Sequence, residues 1–147
     1  MFKHILVPTD GSVLSLRAAK HAVRFAKAQD ARITAFYAAP EYHPNIAGDY
    51  MPANFVPFAE FEKQIAKTAD KYLDRIKKLA AVAGVPCSGA YASGDAPYQA
   101  IIKAAKARKC DLIFMASHGR SGIAGLLIGS EANKVLTHCR LPVLVYR

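Results

Sequence analysis

Short runs of β-branched and other apolar residues alternate with longer amphipathic segments along the whole chain, and this alternation constrains the fold more than any other feature. Such a pattern is typical of a parallel sheet covered by crossover helices. The first, fourth and fifth runs are almost continuously apolar, as expected of buried parallel strands. The pattern predicts five strands: Lys3–Pro8, Arg32–Ala39, Pro86–Ser93, Asp111–Ser117 and Pro142–Arg147.

Four helices are predicted between these strands. They run from Asp10-Gly-Ser12 to about Gln29, over Phe58–Ala83, from Asp95-Ala-Pro97 to about Lys109, and from Ser130 to about Cys139. Either Asp10 or Ser12 can cap the first helix, and Asp95 is the predicted cap of the third. Gly84 follows the apolar stripe of the second helix and is suited to ending it.

The chain of 147 residues suits one domain over residues 1–147, and no repeat, low-complexity tract or linker divides it. Its 52% hydrophobic and 21% charged residues are ordinary for a globular protein. Only three consecutive apolar residues precede Pro8, too few for a signal-peptide core or a membrane span. We therefore expect a cytoplasmic protein without a membrane-spanning segment.

The cysteines are three in number, Cys87, Cys110 and Cys139, and none belongs to a CxxC motif. An odd count argues against a disulfide framework. Reduced, buried thiols are the favoured interpretation, and a redox role for one of them is the alternative.

Twenty Lys and Arg residues against eleven Asp and Glu residues give the chain a formal charge of +9. Such a charge suits an anionic partner. The basic residues are, however, spread through helical segments that also hold carboxylates, so solvated helix faces explain most of them. Nucleic-acid-binding proteins usually combine a concentrated basic stripe with aromatic stacking positions, and neither is visible. We expect no nucleic-acid partner.

The interval Pro40–Pro57 fits neither the strand nor the helix pattern. It contains four prolines and three aromatic residues, and loops of this length are uncommon inside compact domains and are often functional. A mobile lid beside a ligand is one interpretation. A packed surface excursion or a subunit contact is the other.

A sheet whose strand order reverses once binds ligands at the carboxyl ends of the strands at the reversal. For this chain those are the first and fourth strands, followed by Pro8-Thr9-Asp10 and by Ala116-Ser-His-Gly119. The two segments are therefore predicted to border one crevice.

A loop with four glycines, Gly119, Gly122, Gly125 and Gly129, follows the fourth strand and ends at Ser130, the predicted N-cap of the last helix. Glycines permit close backbone approach, and a helix N-terminus offers free N–H groups, so the loop suits a phosphate. The Ser130 hydroxyl is a further donor, and Arg120 is placed to approach the charge from outside. The alternative is a plain connection, since the spacing matches neither GxxxxGK[ST] nor GxGxxG.

The whole chain resembles the universal stress protein family. The matching segments, in order, are Val7-Pro-Thr-Asp-Gly-Ser12, Gly94-Asp-Ala-Pro97, Cys110-Asp-Leu-Ile-Phe-Met-Ala-Ser-His-Gly119, Gly129-Ser130 and Leu141-Pro-Val-Leu-Val-Tyr146. The resemblance implies a single doubly wound α/β domain with a five-stranded parallel sheet of order 3-2-1-4-5 and four helices, a Rossmann-like fold of the adenine nucleotide alpha-hydrolase type. It also implies a homodimer formed through the C-terminal strand, Leu141–Arg147.

The ATP-binding branch of that family carries the pattern Gly-x2-Gly-x9-Gly-[Ser/Thr]. In this chain Ala116 stands at the first glycine, and a methyl group there is either tolerated or crowds the ribose and phosphates. Carried over by position, the resemblance implies three groups of ligand-facing residues. Pro8, Thr9, Asp10 and Ala38 face the nucleotide, with Ala38 beside the adenine; Met115, Ala116, His118 and Gly119 line the ribose and phosphate side; and Gly129, Ser130 and Glu131 hold the phosphates.

Simpler roles remain open for three of these residues: Asp10 as a helix cap, Met115 as a core residue and His118 as an exposed loop histidine. Candidates for catalysis are few, because the chain has no GxSxG elbow and its five histidines lack metal-ligand spacing. Slow, incidental ATP hydrolysis would need a Mg²⁺ ion against the phosphates, with Asp10 as the candidate ligand.

We therefore expect a dimeric module that binds ATP and has a stress-response or regulatory role, which the resemblance supplies. The alternative is a nucleotide-free member of the family that acts through protein–protein interaction and dimerisation. The physical reason for this alternative is the last strand, Leu141–Arg147. Its expected position at a sheet edge leaves backbone groups unpaired.

Overall fold

A computed structural model describes residues 1–120, 122 and 127–147. Within these ranges five strands alternate with four helices. The strands are β1 (His4–Thr9), β2 (Arg32–Ala39), β3 (Cys87–Ser93), β4 (Leu112–Ala116) and β5 (Val143–Tyr146), and the helices are α1 (Val13–Gln29), α2 (Phe58–Ala83), α3 (Pro97–Ala107) and α4 (Ser130–His138). The predicted bounds of β2 and α2 are confirmed, and those of the other strands and the helix ends differ by one or two residues.

The five strands form one parallel sheet in the order β3-β2-β1-β4-β5. Strand β1 lies at the centre and pairs with β2 on one side and with β4 on the other. The chain winds outward from β1 to β3, crosses back to β4 and then winds outward to β5, so the order reverses between β1 and β4. The predicted doubly wound α/β fold of order 3-2-1-4-5 is confirmed.

Alternate residues of the central strands face two separate hydrophobic clusters. Ile5 and Val7 of β1 pack with α1 and α2 on one face of the sheet, whereas Leu6 packs with α3 and α4 on the other. This division follows from the two-residue period of a strand. Because both faces are covered, every residue of β1 is buried, which explains why the run is continuously apolar apart from His4 and Thr9.

The ends of α1 and α2 follow from their flanking residues. The Ser12 hydroxyl oxygen accepts a hydrogen bond from the N–H of Ser15 over 3.1 Å, so Ser12 caps α1. The Asp10 carboxylate instead accepts from the N–H of Ser12, outside the helix. Gly84 ends α2 with a φ of 72°, a conformation that costs glycine little.

Two predicted caps are wrong. Gly129, not Ser130, is the N-cap of α4, because the Gly129 carbonyl accepts the first bond of the helix from the N–H of Asn133 over 3.0 Å. The N-cap of α3 is Ala96, not Asp95, and the Asp95 side chain lies within 2.5 Å of His43 Nε2 instead.

The segment from Pro40 to Pro57 is mostly exposed and contains one antiparallel bridge, between Ala47 and Tyr50. Tyr42 anchors it: the ring packs 5.3 Å from Phe58 and 5.1 Å from Phe61 between ring centres, and the hydroxyl donates to the Val56 carbonyl. The beginning of the segment is therefore a packed surface excursion. The lid and subunit-contact interpretations stay predictions.

All three cysteines are free thiols. The prediction of burial is confirmed for Cys110, whereas Cys87 and Cys139 are half-buried. Burial, followed by the nearby Asp111 carboxylate, raises the pKa of Cys110 to about 11, and burial also raises the pKa of Cys87. Cys87 and Cys110 are therefore poor nucleophiles.

The length and apolar character of the helices can be compared with the expectation that the chain has no membrane-spanning segment. In the described part of the chain, no helix combines the length and the apolar character needed to cross a bilayer.

Candidate functional site

A cavity of about 480 Å³ opens at the carboxyl ends of β1 and β4, where the strand order reverses. Its volume lies in the range of about 300–1,000 Å³ that is usual for ligand pockets. All eleven residues predicted from the sequence to face a ligand line it: Pro8, Thr9, Asp10, Ala38, Met115, Ala116, His118, Gly119, Gly129, Ser130 and Glu131. The fold thus brings four separate segments of the chain to one opening.

Asp10 lines this opening, and both of its carboxylate oxygens accept backbone hydrogen bonds. One oxygen accepts from the N–H of Ser12 over 2.9 Å, and the other accepts from the N–H of Arg120 over 2.8 Å. Burial raises the pKa of Asp10, but the hydrogen bonds from Ser12 and Arg120 outweigh burial and hold the pKa below its ordinary value. Asp10 is therefore a fixed negative charge at neutral pH.

Gly119 is held against Asp10. A Cβ atom at Gly119 would lie 2.5 Å from Asp10 Oδ2, too close for any side chain unless the carboxylate moved. The sequence predicts that Gly119 permits close approach of a ligand, and the structure shows a second requirement, contact with Asp10. A substitution at Gly119 therefore disturbs Asp10 as well as the cavity.

The N-terminus of α4 is aligned on the end of β4. The Gly129 N–H donates to the Ser117 carbonyl over 2.6 Å, and a Cβ at Gly129 would lie 2.9 Å from that same oxygen. Glycine at the N-cap supplies no capping side chain, and no other side chain among the described residues caps the first turn of the helix. The first N–H groups of α4 are therefore available to a ligand, in contrast to α1, where Ser12 caps the turn.

The Glu131 side chain, although it lines the cavity, is engaged by neighbouring helical residues. Its carboxylate accepts from the N–H of Tyr98 over 3.0 Å and from the Lys134 ammonium over 3.1 Å. It thus caps the first turn of α3 and ties α3 to α4. Only the backbone of Glu131 remains for the phosphate role that the resemblance implied.

His118 is half-buried rather than an exposed loop residue. Its Nδ1 lies 3.0 Å from the Ser117 hydroxyl, and its Nε2 is buried without a hydrogen-bond partner among the described residues. Ser117 is only 2% exposed, and the described residues supply no carboxylate to the free ring nitrogen. The pair therefore lacks the third member of a Ser-His-Asp triad in the described part of the chain.

One side of the cavity is apolar. It is formed by Pro8, Ala38, Pro97, Ile101 and Met115. Met115 also packs in the core cluster beneath α3 and α4. It is therefore both a core residue and a lining residue of the cavity. Such a wall suits an aromatic ring or another flat apolar group.

Ala116, at the position of the first glycine in the family pattern, is 8% exposed. Its methyl group belongs to the hydrophobic cluster on the α1 and α2 face of the sheet, whereas α4 and its N-terminus lie on the opposite face. The methyl group therefore packs on the side of the sheet away from the free N–H groups of α4.

Residues that the sequence interpretation missed close the cavity beside Asp10. Tyr37 and Tyr72 meet edge to face with ring centres 5.2 Å apart, and Arg120 donates to the Tyr72 hydroxyl over 2.5 Å. The Arg120 guanidinium also lies 5.3 Å from the centre of the Tyr72 ring. A signal for Tyr37 existed, since it precedes Ala38 at the carboxyl end of a strand, but Tyr72 comes from the middle of a helix.

Of the two remaining glycines of the loop, the structure describes only Gly122. Gly122 lines the cavity, and a Cβ there would lie 3.0 Å from the His118 Cβ. Gly125 lies outside the described residues.

Comparison with known proteins gives concordant matches. The sequence model of the universal stress protein family matches residues 1–147. The universal stress protein MJ0531 of Methanocaldococcus jannaschii is 35% identical over 149 aligned positions, which cover 100% of this chain and 83% of that protein.

The fold is also that of solved structures, of which two serve as examples. Protein MJ0577 of the same organism superposes with a TM-score of 0.82 at 26% identity, over 99% of this chain and 95% of that one. A universal stress protein in complex with cAMP superposes with a TM-score of 0.71 at 28% identity, over 99% of this chain and 97% of that one.

Proposed function

The chain belongs to the universal stress protein family, and from this premise we propose that it is a regulatory module that binds an adenine nucleotide, ATP in the first instance, in the cavity between β1 and β4. The observation that carries the proposal is the N-terminus of α4, which no described side chain caps and which borders the cavity at Gly129, Ser130 and Glu131. Free N–H groups and the positive end of a helix dipole favour an anion by about 0.3–1 kcal/mol, and up to about 2 kcal/mol in partly buried geometry.

The apolar wall supports an aromatic base as the other end of the ligand. Pro8, Ala38 and Pro97 present flat or small apolar surfaces that can cover the two faces of an adenine. The structural relative that holds cAMP is a family member with an adenine nucleotide bound. A nucleotide lying with its base on this wall and its phosphates at α4 uses both ends of the cavity.

Asp10 bears on whether the nucleotide carries a metal ion. A fixed carboxylate beside a phosphate site repels the phosphates unless a cation lies between them. Mg²⁺ prefers a shell of one or two carboxylates, phosphate oxygens and water, and each Asp10 oxygen keeps a lone pair beyond its backbone bond. Asp10 thus fits a Mg²⁺ ion carried by the nucleotide.

Binding, rather than turnover, is the proposed activity. The Ser117–His118 pair is the one described neighbouring pair that resembles hydrolytic machinery, and its serine is buried. Any ATP hydrolysis is then slow and incidental. We place the protein in the cytoplasm, as expected for a stress-response regulator of this family.

The assembly proposed for this module is a homodimer through β5. Strand β5 forms one edge of the sheet, and the carbonyls of Pro142 and Tyr146 accept from β4. Because alternate residues of a parallel strand face the same neighbour, the N–H and C=O groups of Val143 and Val145 point to the open edge. A second copy can pair there.

This edge also favours the second candidate function, a nucleotide-free family member that acts through its dimer and protein partners. Both candidates predict dimerisation, so the oligomeric state does not separate them. Nucleotide binding separates the two candidates, because only the first candidate binds ATP.

The test is the adenine nucleotide content of the purified protein, followed by titration. Denatured protein is extracted and analysed by chromatography, and nucleotide-free protein is then titrated with ATP, with and without Mg²⁺, by calorimetry and thermal unfolding. At about 100 times the Kd, ligand binding adds about 2.7 kcal/mol to the free energy of unfolding. Absence of both bound nucleotide and any shift at millimolar ATP rejects the proposal and favours the nucleotide-free candidate.

A further inference from the structure

A cluster of side chains outside the cavity brings together three residues that can ligate a metal ion: Glu41, His43 and Asp95. Their ligand atoms, one from each residue, all lie within 4.8 Å of one another. His43 Nε2 and Asp95 Oδ1 are 2.5 Å apart. Glu41 and His43 begin the segment after β2, whereas Asp95 belongs to the connection from β3 to α3, so two distant segments meet at this point.

The charges in this cluster are unusual for a chain with a formal charge of +9. The carboxylates of Glu41 and Asp95 stand side by side. Among the described residues, no Lys or Arg forms an ion pair with either carboxylate, and His43 is the partner of Asp95. The pair is therefore a local excess of negative charge that a cation would relieve.

We propose that Glu41, His43 and Asp95 form a binding site for one divalent transition-metal ion of the Zn²⁺ class. One imidazole nitrogen and two carboxylates are a donor set that suits Zn²⁺, which accepts nitrogen and oxygen ligands together. Mg²⁺ and Ca²⁺ prefer oxygen alone, so the imidazole selects against them.

The exposure of the site indicates how many protein ligands the ion has. The His43 and Asp95 side chains are 69% and 66% exposed. Three protein ligands at the surface leave at least one coordination position to water, so the site is an open one and binds more weakly than a closed four-ligand site.

The position of the site gives the ion a structural effect. Glu41 follows Ala38 by three residues and Asp95 precedes Pro97 by two, and both Ala38 and Pro97 line the apolar wall of the cavity. A bound ion would join the beginning of the Pro40–Pro57 segment to the start of α3. The proposal does not depend on nucleotide binding, because its three residues are outside the cavity.

The test is calorimetric titration of the tag-free, EDTA-treated full chain with ZnCl₂ at neutral pH, without nucleotide. We expect one Zn²⁺ per chain for the wild type. Asp95→Asn and His43→Ala should each weaken Zn²⁺ binding by about 10- to 100-fold or more. A loss of about 10- to 100-fold is typical when a residue that supports a metal ligand is changed, and these residues are proposed ligands themselves. Both residues are exposed, so circular dichroism and the Tm without metal should match the wild type.

His138→Ala is the matched control, because it removes an imidazole that is followed directly by Cys139 but does not belong to the cluster. It should leave the stoichiometry and affinity unchanged, and MgCl₂ should give no comparable heat. The proposal is wrong if the wild type does not bind Zn²⁺, if Asp95→Asn and His43→Ala bind as tightly as the wild type, or if His138→Ala abolishes binding.

Discussion

The carboxylate of Asp10 accepts a hydrogen bond from the backbone N–H of Arg120 over 2.8 Å, although 110 residues separate the two in the sequence. This bond joins the end of β1 to the loop after β4 at the point where the sheet order reverses. Arg120 Nε also donates to the Asp10 carbonyl over 2.9 Å, so the two segments are held by side chain and backbone together. The mouth of the cavity is thus fixed by the residue that carries its negative charge.

Asp10→Asn should lower the free energy of unfolding by about 1.5–3 kcal/mol, because hydrogen bonds to a charged acceptor are replaced by weaker ones and an amide N–H₂ can face a backbone donor. The folded pKa of Asp10 lies below its ordinary value of 3.8, so the ionised carboxylate stabilises the fold above that pH. That contribution is lost as the pH falls through the lower, folded pKa.

The measurement for Asp10→Asn is urea unfolding of wild type and variant at several pH values. The difference in unfolding free energy should be constant above about pH 5 and should shrink below about pH 4. A difference that grows on acidification would contradict the assigned direction of the pKa shift.

Gly129→Ala should weaken ATP binding at least tenfold, about 1.4 kcal/mol. Its Cβ would lie 2.9 Å from the Ser117 carbonyl, so the loop must shift and the first turn of α4 moves with it. The same crowding should cost about 1–3 kcal/mol of stability. The measurements are calorimetric titration with ATP and thermal unfolding.

Gly94→Ala is the matched control for that variant. A Cβ at Gly94 meets nothing within 4 Å, and Gly94 does not line the cavity. Affinity and stability should stay close to wild type. Equal effects of the two alanines on ATP binding would argue against a phosphate site at α4.

Ala116→Gly should leave the affinity for ATP unchanged, although it restores the glycine of the family pattern. The Ala116 methyl packs into the cluster on the α1 and α2 face, away from α4. The variant should instead lose about 0.5–1 kcal/mol of stability, because glycine in a strand is entropically unfavourable. A clear gain in affinity, measured by calorimetry, would show that the methyl group crowds the ligand after all.

Ser130→Ala separates a ligand contact from a helix cap. Since Gly129 is the N-cap, removal of the Ser130 hydroxyl should change stability by less than about 0.5 kcal/mol, whereas loss of a serine cap costs about 0.5–2 kcal/mol. If the hydroxyl donates to a phosphate, affinity for ATP should fall about tenfold or more, because a hydrogen bond to a charged acceptor is worth about 1.5–3 kcal/mol. Unchanged affinity would remove Ser130 from the proposed site.

Most of the fold could be predicted because its local signals agree with one another. Helix α2 has an apolar stripe between Pro57 and Gly84, both of which mark its ends, and its predicted bounds are the observed ones. The two caps were wrongly predicted for one reason: residue type alone does not determine which residue caps a helix. Ser130 and Asp95 are good capping residues by type, but the first bond of α4 starts at Gly129 and the Asp95 side chain turns to His43, a partner from another segment.

The candidate site likewise contains residues that could be predicted from the sequence and residues that could not. The segments at the ends of β1 and β4 were predicted, because a parallel sheet brings the carboxyl ends of its strands to one edge. Tyr72 was not, because its place beside Asp10 depends on how α2 packs across β2, which no local pattern specifies. The same holds for the Glu41–His43–Asp95 cluster, in which the contact between His43 and Asp95 joins residues 52 positions apart in the sequence.

Val145→Pro should convert a homodimer into a monomer without loss of ATP binding. Its N–H points to the open edge of β5 rather than to β4, so proline removes a donor for a second copy and leaves the β4–β5 ladder intact, as proline at an edge strand can. Size-exclusion chromatography with light scattering measures the assembly. Val145→Thr, which keeps both the branched shape and the N–H, should remain dimeric, and a dimeric Val145→Pro protein would place the interface away from this edge.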